Sequence, residues 1–165
     1  MWTVLKFDKK ALALFKADLF LKLGKNFKIY IPKLKIQKYK NNRLINKEIN
    51  LLGDYLFLYH ENLVNKKIIE NLKFSRGLKY ILQGFEVSQD DINNFVKKCK
   101  SSECEHGYIS KDFYNLELNK AYRFSSGPFT DKIFQIINLQ RNRIKILMGN
   151  IETTINKKKF LYIPV

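Results

Sequence analysis

Three side chains able to hold a metal fall close together in the run Cys99-Lys-Ser-Ser-Glu-Cys104-Glu-His106. Thiolate and imidazole are the donors that zinc selects, but a structural zinc takes four ligands and no fourth stands nearby. Reduced thiols are the expectation, with no metal and no cofactor. His60 is the other histidine of the chain. No Ser or Cys nucleophile motif accompanies it, so a surface or packing role is expected rather than a general base. Clustered carboxylates and a phosphate-cradling glycine loop are missing too. The residues point to a binding protein, not an enzyme.

Two binding chemistries are dense enough to matter. One is apolar: Leu51-Leu52-Gly53-Asp54-Tyr55-Leu56-Phe57-Leu58-Tyr59 joins a Gly-Asp turn to an aromatic and aliphatic run suited to a half-buried strand. By residue type alone this is a core strand. The other is charge: 31 Lys and Arg against 15 Asp and Glu give +16 and a pI near 9.8. Each phosphate neutralised by Lys or Arg releases condensed counterions, so a polyanion is the first partner to expect. AT-rich codon usage would also enrich Lys, and 26 of the 31 basic residues are Lys. The distribution says more. Residues 1–52 hold 13 basic and 3 acidic side chains, residues 53–100 net +2, and residues 101–165 net +4.

The 165 residues, 45% hydrophobic and 14% aromatic, can build one core or two small ones and do not describe a disordered tail. No apolar run approaches the roughly 20 residues of a membrane span, and no signal-peptide pattern opens the chain. A cytoplasmic monomer without membrane contact is expected.

The elements that must position these residues follow from periodicity. Thr3 to Leu5 reads as a strand, and Leu12, Phe15, Leu19 and Leu23 recur at helical spacing after Asp8 until Gly24. Phe27, Ile29 and Ile31 alternate as a strand, and residues 33–49 form a lysine-lined hairpin around Asn41-Asn42. A strand over 55–59, a helix over 62–72, a strand over 78–82 and a helix from Ser88 to about Cys99 follow. Residues 100–115 lose all apolar period and read as a linker. Beyond it, short β-type runs at 121–124, 133–139, 143–148, 151–155 and 160–163 suggest a small five-stranded barrel.

Several segments resemble the NusG/RfaH family of transcription elongation factors, in order and over nearly the whole chain. Leu52-Gly53-Asp54-Tyr55-Leu56-Phe57 is similar to the family's Phe-Pro-Gly-Tyr-Leu-Phe, and Trp2-Thr3-Val4-Leu5 to its first strand. Ser75-Arg76-Gly77-Leu78 falls where the family has Thr-Arg-Gly-Val or Pro-Gly-Val, and Gly127-Pro128-Phe129 resembles the Gly-Pro-Phe loop of its KOW domain. Departures are Gly53-Asp54 in place of Pro-Gly or Pro-Asn and Asn119-Lys120 in place of the Gly-Asp that usually opens the KOW domain. The resemblance implies an α+β fold: an N-terminal antiparallel sheet flanked by helices over 1–99, a linker over 100–115, and an SH3-like KOW barrel over 116–165.

It also implies a function. The family's N-terminal domain docks on the clamp helices of RNA polymerase, bridges the DNA cleft and restrains pausing, as an elongation and antitermination factor. By position, Leu52, Tyr55, Phe57, Ile92, Phe95 and Val96 match or flank that docking patch. Tyr55 and Phe57 share a strand face and Leu56 points away, so the first two are favoured for the contact. Lys9, Lys10 and Lys16 of the first helix, with Lys33, Lys35, Lys38, Lys40 and Arg43 of the hairpin, would face upstream or non-template DNA through phosphates. Asn65-Lys66-Lys67 stands where RfaH-like paralogues carry the His-Thr-Thr that touches the opposite jaw. The KOW domain would recruit a ribosomal protein or the termination factor Rho. Two other classes fit the same composition: a ribosome- or RNA-binding KOW protein, and a stand-alone DNA-binding protein.

Overall fold

The computed structural model describes residues 1–109 and 113–165, with every side chain there except that of Tyr39; residues 110–112 of the expected linker lie outside the described residues. In chain order the elements are β1 (Trp2–Phe7), α1 (Leu12–Leu23), β2 (Lys28–Tyr30), β3 (Lys33–Lys40), β4 (Arg43–Asn50), β5 (Tyr55–Tyr59) and α2 (Lys66–Lys73). After them come β6 (Leu78–Ile81), α3 (Gln89–Ser101), β7 (Ala121–Phe124), β8 (Ile133–Leu139), β9 (Arg143–Met148), β10 (Ile151–Asn156) and β11 (Tyr162–Pro164). The fold is α+β with antiparallel sheets, in two compact units: Met1–Pro32 with Asn50–Ser101, and Lys33–Ile49 with Ser102–Val165.

In the first unit the sheet order is β2-β5-β1-β6, and both of its faces are apolar. Leu5 and Phe7 of β1 turn to one face with Leu56 and Leu58 of β5, where Phe15 and Leu19 of α1 and Leu72 of α2 close a core. The next residues along each strand turn the other way, as pleating requires. There Trp2, Val4 and Phe57 meet Ile92 and Val96 of α3.

Local chemistry fixes how the helices attach. Asp8 accepts from Lys10 N at 2.9 Å and caps a 3-10 turn, Lys9–Ala11, that leads into α1. Gly77 is at φ +80°, and a Cβ there would lie 2.8 Å from that of Ala11, so only glycine lets the chain pass under α1. Its neighbour Arg76 donates from Nε and Nη2 to Asp18 Oδ1 at 3.0 and 2.6 Å and from its backbone N to Oδ2 at 2.9 Å. This pairing holds the buried Asp18 carboxylate down at a pKa of about 2. The single helix expected over 62–72 is instead a 3-10 turn, Glu61–Val64, followed by α2. The reason is Asn65, which stays extended and accepts from Lys67 N at 3.0 Å, so the helix starts afresh there.

In the second unit the sheet order is β10-β9-β8-β7-β11, wrapped on a core of Tyr122, Phe124, Phe134, Ile136, Ile144, Ile146, Phe160 and Tyr162. A bulge in β8 between Ile136 and Asn138 shifts the alternation by one residue, which returns Leu139 to the core and increases the local twist. The last strand starts at Tyr162, not at residue 160. Phe160 belongs to the preceding turn and sets its ring edge-on to Phe124 at 5.7 Å. Gly127, at φ +84°, sits against that ring, which would collide with any Cβ.

The β3–β4 hairpin turns at Asn41 and Asn42, both with positive φ (49° and 57°), as a two-residue hairpin loop requires. It groups with the second unit. Leu34 and Ile36 are buried, Ile109 N donates to Lys33 O at 2.8 Å, Gln37 N to Ser125 O at 2.7 Å, and Gly127 N to Gln37 Oε1 at 2.8 Å. No helix among the described residues is long and apolar enough to cross a membrane.

Candidate docking groove

On the α3 side of the first sheet the helix does not cover the whole apolar face. The strip it leaves open is a groove of about 630 Å³ lined by Val4, Leu52, Tyr55, Phe57, Leu82, Asp91, Ile92 and Phe95. One lining residue, Asp91, is charged. Strand alternation supplies the floor from β1 and β5, the turn before β5 supplies Leu52, and α3 supplies one wall.

The position of α3 depends on Gln89. Its Oε1 accepts from Trp2 N at 2.8 Å, and its Nε2 donates to Trp2 O at 2.7 Å and to Phe85 O at 2.6 Å. One amide side chain thus stands in for a neighbouring strand and ties the helix start to β1. Phe57 then packs on Phe95 with centroids 5.7 Å apart and meets Trp2 edge-on at 6.5 Å.

One end of the groove is polar. The Tyr55 and Tyr80 hydroxyls are 2.6 Å apart, with Lys6 Nζ 5.4 Å from each ring centroid. Their shared hydrogen bond raises the Tyr55 pKa and lowers that of Tyr80, and either hydroxyl can be the donor. The two hydroxyls in turn raise Lys6. Asp54 is lowered first by its hydrogen bond to Lys9, at 2.9 Å, and also by Lys79 at 4.0 Å.

All six residues expected in a docking patch lie in one apolar cluster, but they differ in exposure. Phe57, favoured from the sequence for the partner contact, is only 4% exposed, because Phe95, Trp2 and Tyr30 enclose its ring. Ile92 and Val96 are buried as well, which leaves Leu52, Tyr55 and Phe95 as the partly exposed members. Leu82, 42% exposed, and Val4 line the groove and were not singled out from sequence. Alternation from Trp2 could have found Val4; nothing local marks Leu82 or Gln89.

The eight basic residues divide between the two units. Lys9, Lys10 and Lys16 belong to the first unit, and Lys33, Lys35, Lys38, Lys40 and Arg43 to the second. All are exposed. Within β3, Lys33 and Lys35 share a face and Lys38 and Lys40 take the other. Lys33 pairs with Glu48 at 3.8 Å, and Lys35 Nζ stands 5.9 Å from the Tyr108 ring centroid. Cys99 is buried and Cys104 exposed, and no group of three or more His, Cys, Asp or Glu among the described residues could hold a metal. His60 is buried and accepts at Nδ1 from Asn62 N at 3.2 Å, a capping role at the 3-10 turn.

No family model and no curated protein matches the chain. Solved structures that match it include one of the MjSpt4:Spt5 complex, conformation B, at 13% identity over 100% of this chain and 98% of that one, with a TM-score of 0.34. Another, on domain interaction in Thermotoga maritima NusG, is 16% identical over 95% of this chain and 94% of that one, with a TM-score of 0.43. At such scores the likeness carries no functional weight, and the groove has to be read from its own residues.

Proposed function

We propose that the chain is a transcription elongation factor that docks through this groove on the clamp helices of RNA polymerase, restrains pausing and favours antitermination. The observation that carries the reading is an open apolar groove built on the segment, Leu52 to Phe57, that resembles the docking strand of the NusG/RfaH family. A helix laid in such a groove would bury Leu52, Leu82 and Phe95 against its own apolar face, the helix-in-groove mode of recognition. Phe57, Ile92 and Val96 form the packed floor that holds those contacts in place.

Nucleic acid is the second partner in this reading. Exposed Lys9 and Lys10 of the 3-10 turn, Lys16 of α1 and the Lys and Arg side chains of the β3–β4 hairpin contribute sequence-tolerant phosphate contacts to upstream or non-template DNA. The first unit acts as the polymerase-facing module, and the second, with residues 116–165 as its KOW-type barrel, links polymerase to a ribosomal protein or to Rho. The role assigned is binding, without catalysis or cofactor, by a cytoplasmic monomer.

The test is capture of RNA polymerase from cell extract by the tagged chain, alongside Leu82→Lys. Polymerase retained by the wild type and lost with Leu82→Lys is expected. Capture of ribosomes without polymerase would favour the RNA-binding KOW class instead.

A further inference from the structure

A second concavity lies wholly within the second unit. Lys35, Gln37 and Asn46 of the hairpin form one wall, Tyr108 another, and Lys159 with Phe160 a third. Its volume of about 530 Å³ falls in the ~300–1,000 Å³ range of built ligand sites.

The groups in it are those that a nucleotide needs. Tyr108 offers a ring, and its hydroxyl donates to Glu48, which fixes the ring against the hairpin. Lys35 stands beside that ring, 5.9 Å from its centroid, so one nucleotide could engage the ring with its base and the ammonium with its phosphate. The amides are oriented as well. Gln37 Oε1 is taken by Gly127 N at 2.8 Å and its Nε2 donates to Asn46 Oδ1 at 3.3 Å, which fixes the orientation of both amides in the cavity wall. The unit's sequence carries 16 basic and 7 acidic side chains, and Lys159, the last of the run Lys157-Lys158-Lys159, lines the cavity.

We infer that this groove binds single-stranded nucleic acid, with a base stacked on Tyr108 and the backbone held by Lys35 and Lys159. A duplex must unpair and unstack a base to place it in a pocket, whereas a single strand need not. An acidic peptide would meet the lysines and could accept from an amide, but it has no base to stack on the ring. The inference narrows the nucleic-acid contact proposed for the hairpin to one groove and one class of ligand. It does not depend on polymerase docking: loss of polymerase capture with oligonucleotide binding intact would count against docking alone, and the converse against this site alone.

The experiment is fluorescence anisotropy with the full chain and labelled dT12, rU12 and a 12-base-pair duplex, in a salt series, with a polyglutamate peptide as competitor. Lys35→Ala with Lys159→Ala should weaken single-strand binding about tenfold, whereas Lys66→Ala with Lys67→Ala, which removes equal charge from the first unit, should change it less than about twofold. Tyr108→Ala should lose binding to a similar degree and Tyr108→Phe should retain it. The ratio of dT12 to rU12 affinity tells which strand is preferred. Equal losses in the two lysine pairs, duplex binding as tight as that of either single strand, or competition by polyglutamate equal to that by unlabelled oligonucleotide would each overturn the site.

Discussion

The two units use aromatic residues in opposite ways. In the first, aromatics and aliphatics cover both faces of one sheet, and a single helix leaves part of the second face open, so apolar surface remains available to a partner. In the second, Tyr122, Phe124, Phe134, Phe160 and Tyr162 all close on one core, and the concavity beside the hairpin sets lysine and amide side chains around Tyr108. Burial can supply affinity in the first unit. Charge and stacking can supply it in the second.

That contrast can be tested by truncation. Phe124→Ala, at a side chain with no exposure and ring contacts to Phe129, Phe134, Phe160 and Tyr162, should cost about 3–5 kcal/mol in denaturant unfolding. Phe57→Ala should cost about 3 kcal/mol by the same rule, since Phe57 is floor rather than rim. A loss below about 1 kcal/mol would mean that the floor of the groove is loosely packed. Gln89→Ala should come next, at about 1–3 kcal/mol, because it strands the Trp2 backbone N–H and C=O in a half-covered site. Unfolding midpoints in urea rank all three.

A smaller, pH-dependent effect belongs to the first unit. Asp18 titrates at about 2 when folded, against 3.8 for the free side chain, so its pairing with Arg76 contributes fully above about pH 4. The contribution is lost as pH falls through 3.8 toward 2. Urea midpoints measured between pH 5 and 2 should therefore fall less steeply for Asp18→Asn than for the wild type.

Much of the fold was legible because alternation and capping are local. Asn41-Asn42, Asp8 and the five C-terminal β runs announce themselves by residue type, and the faces of β5 follow from spacing two. What stayed hidden was long-range. The burial of Leu34 and Ile36 is readable, but which unit buries them depends on contacts with residues 109, 125 and 127 that no local pattern encodes. The same holds at the groove: Phe57 reads as an exposed anchor or as floor depending on where α3 lies, and Gln89 and Phe95 decide that from more than 30 residues away. The β8 bulge is likewise invisible in a run of Ile and Asn that fits either register.

The most direct measurement is the affinity of purified RNA polymerase for the full chain and for its Leu52→Ala, Leu82→Ala double variant. Both residues are at least partly exposed, so each change should alter stability by less than about 1 kcal/mol, to be checked by thermal melting. Docking in the groove requires that affinity fall tenfold or more while the melting temperature stays near that of the wild type. Unchanged affinity in a folded double variant would contradict it.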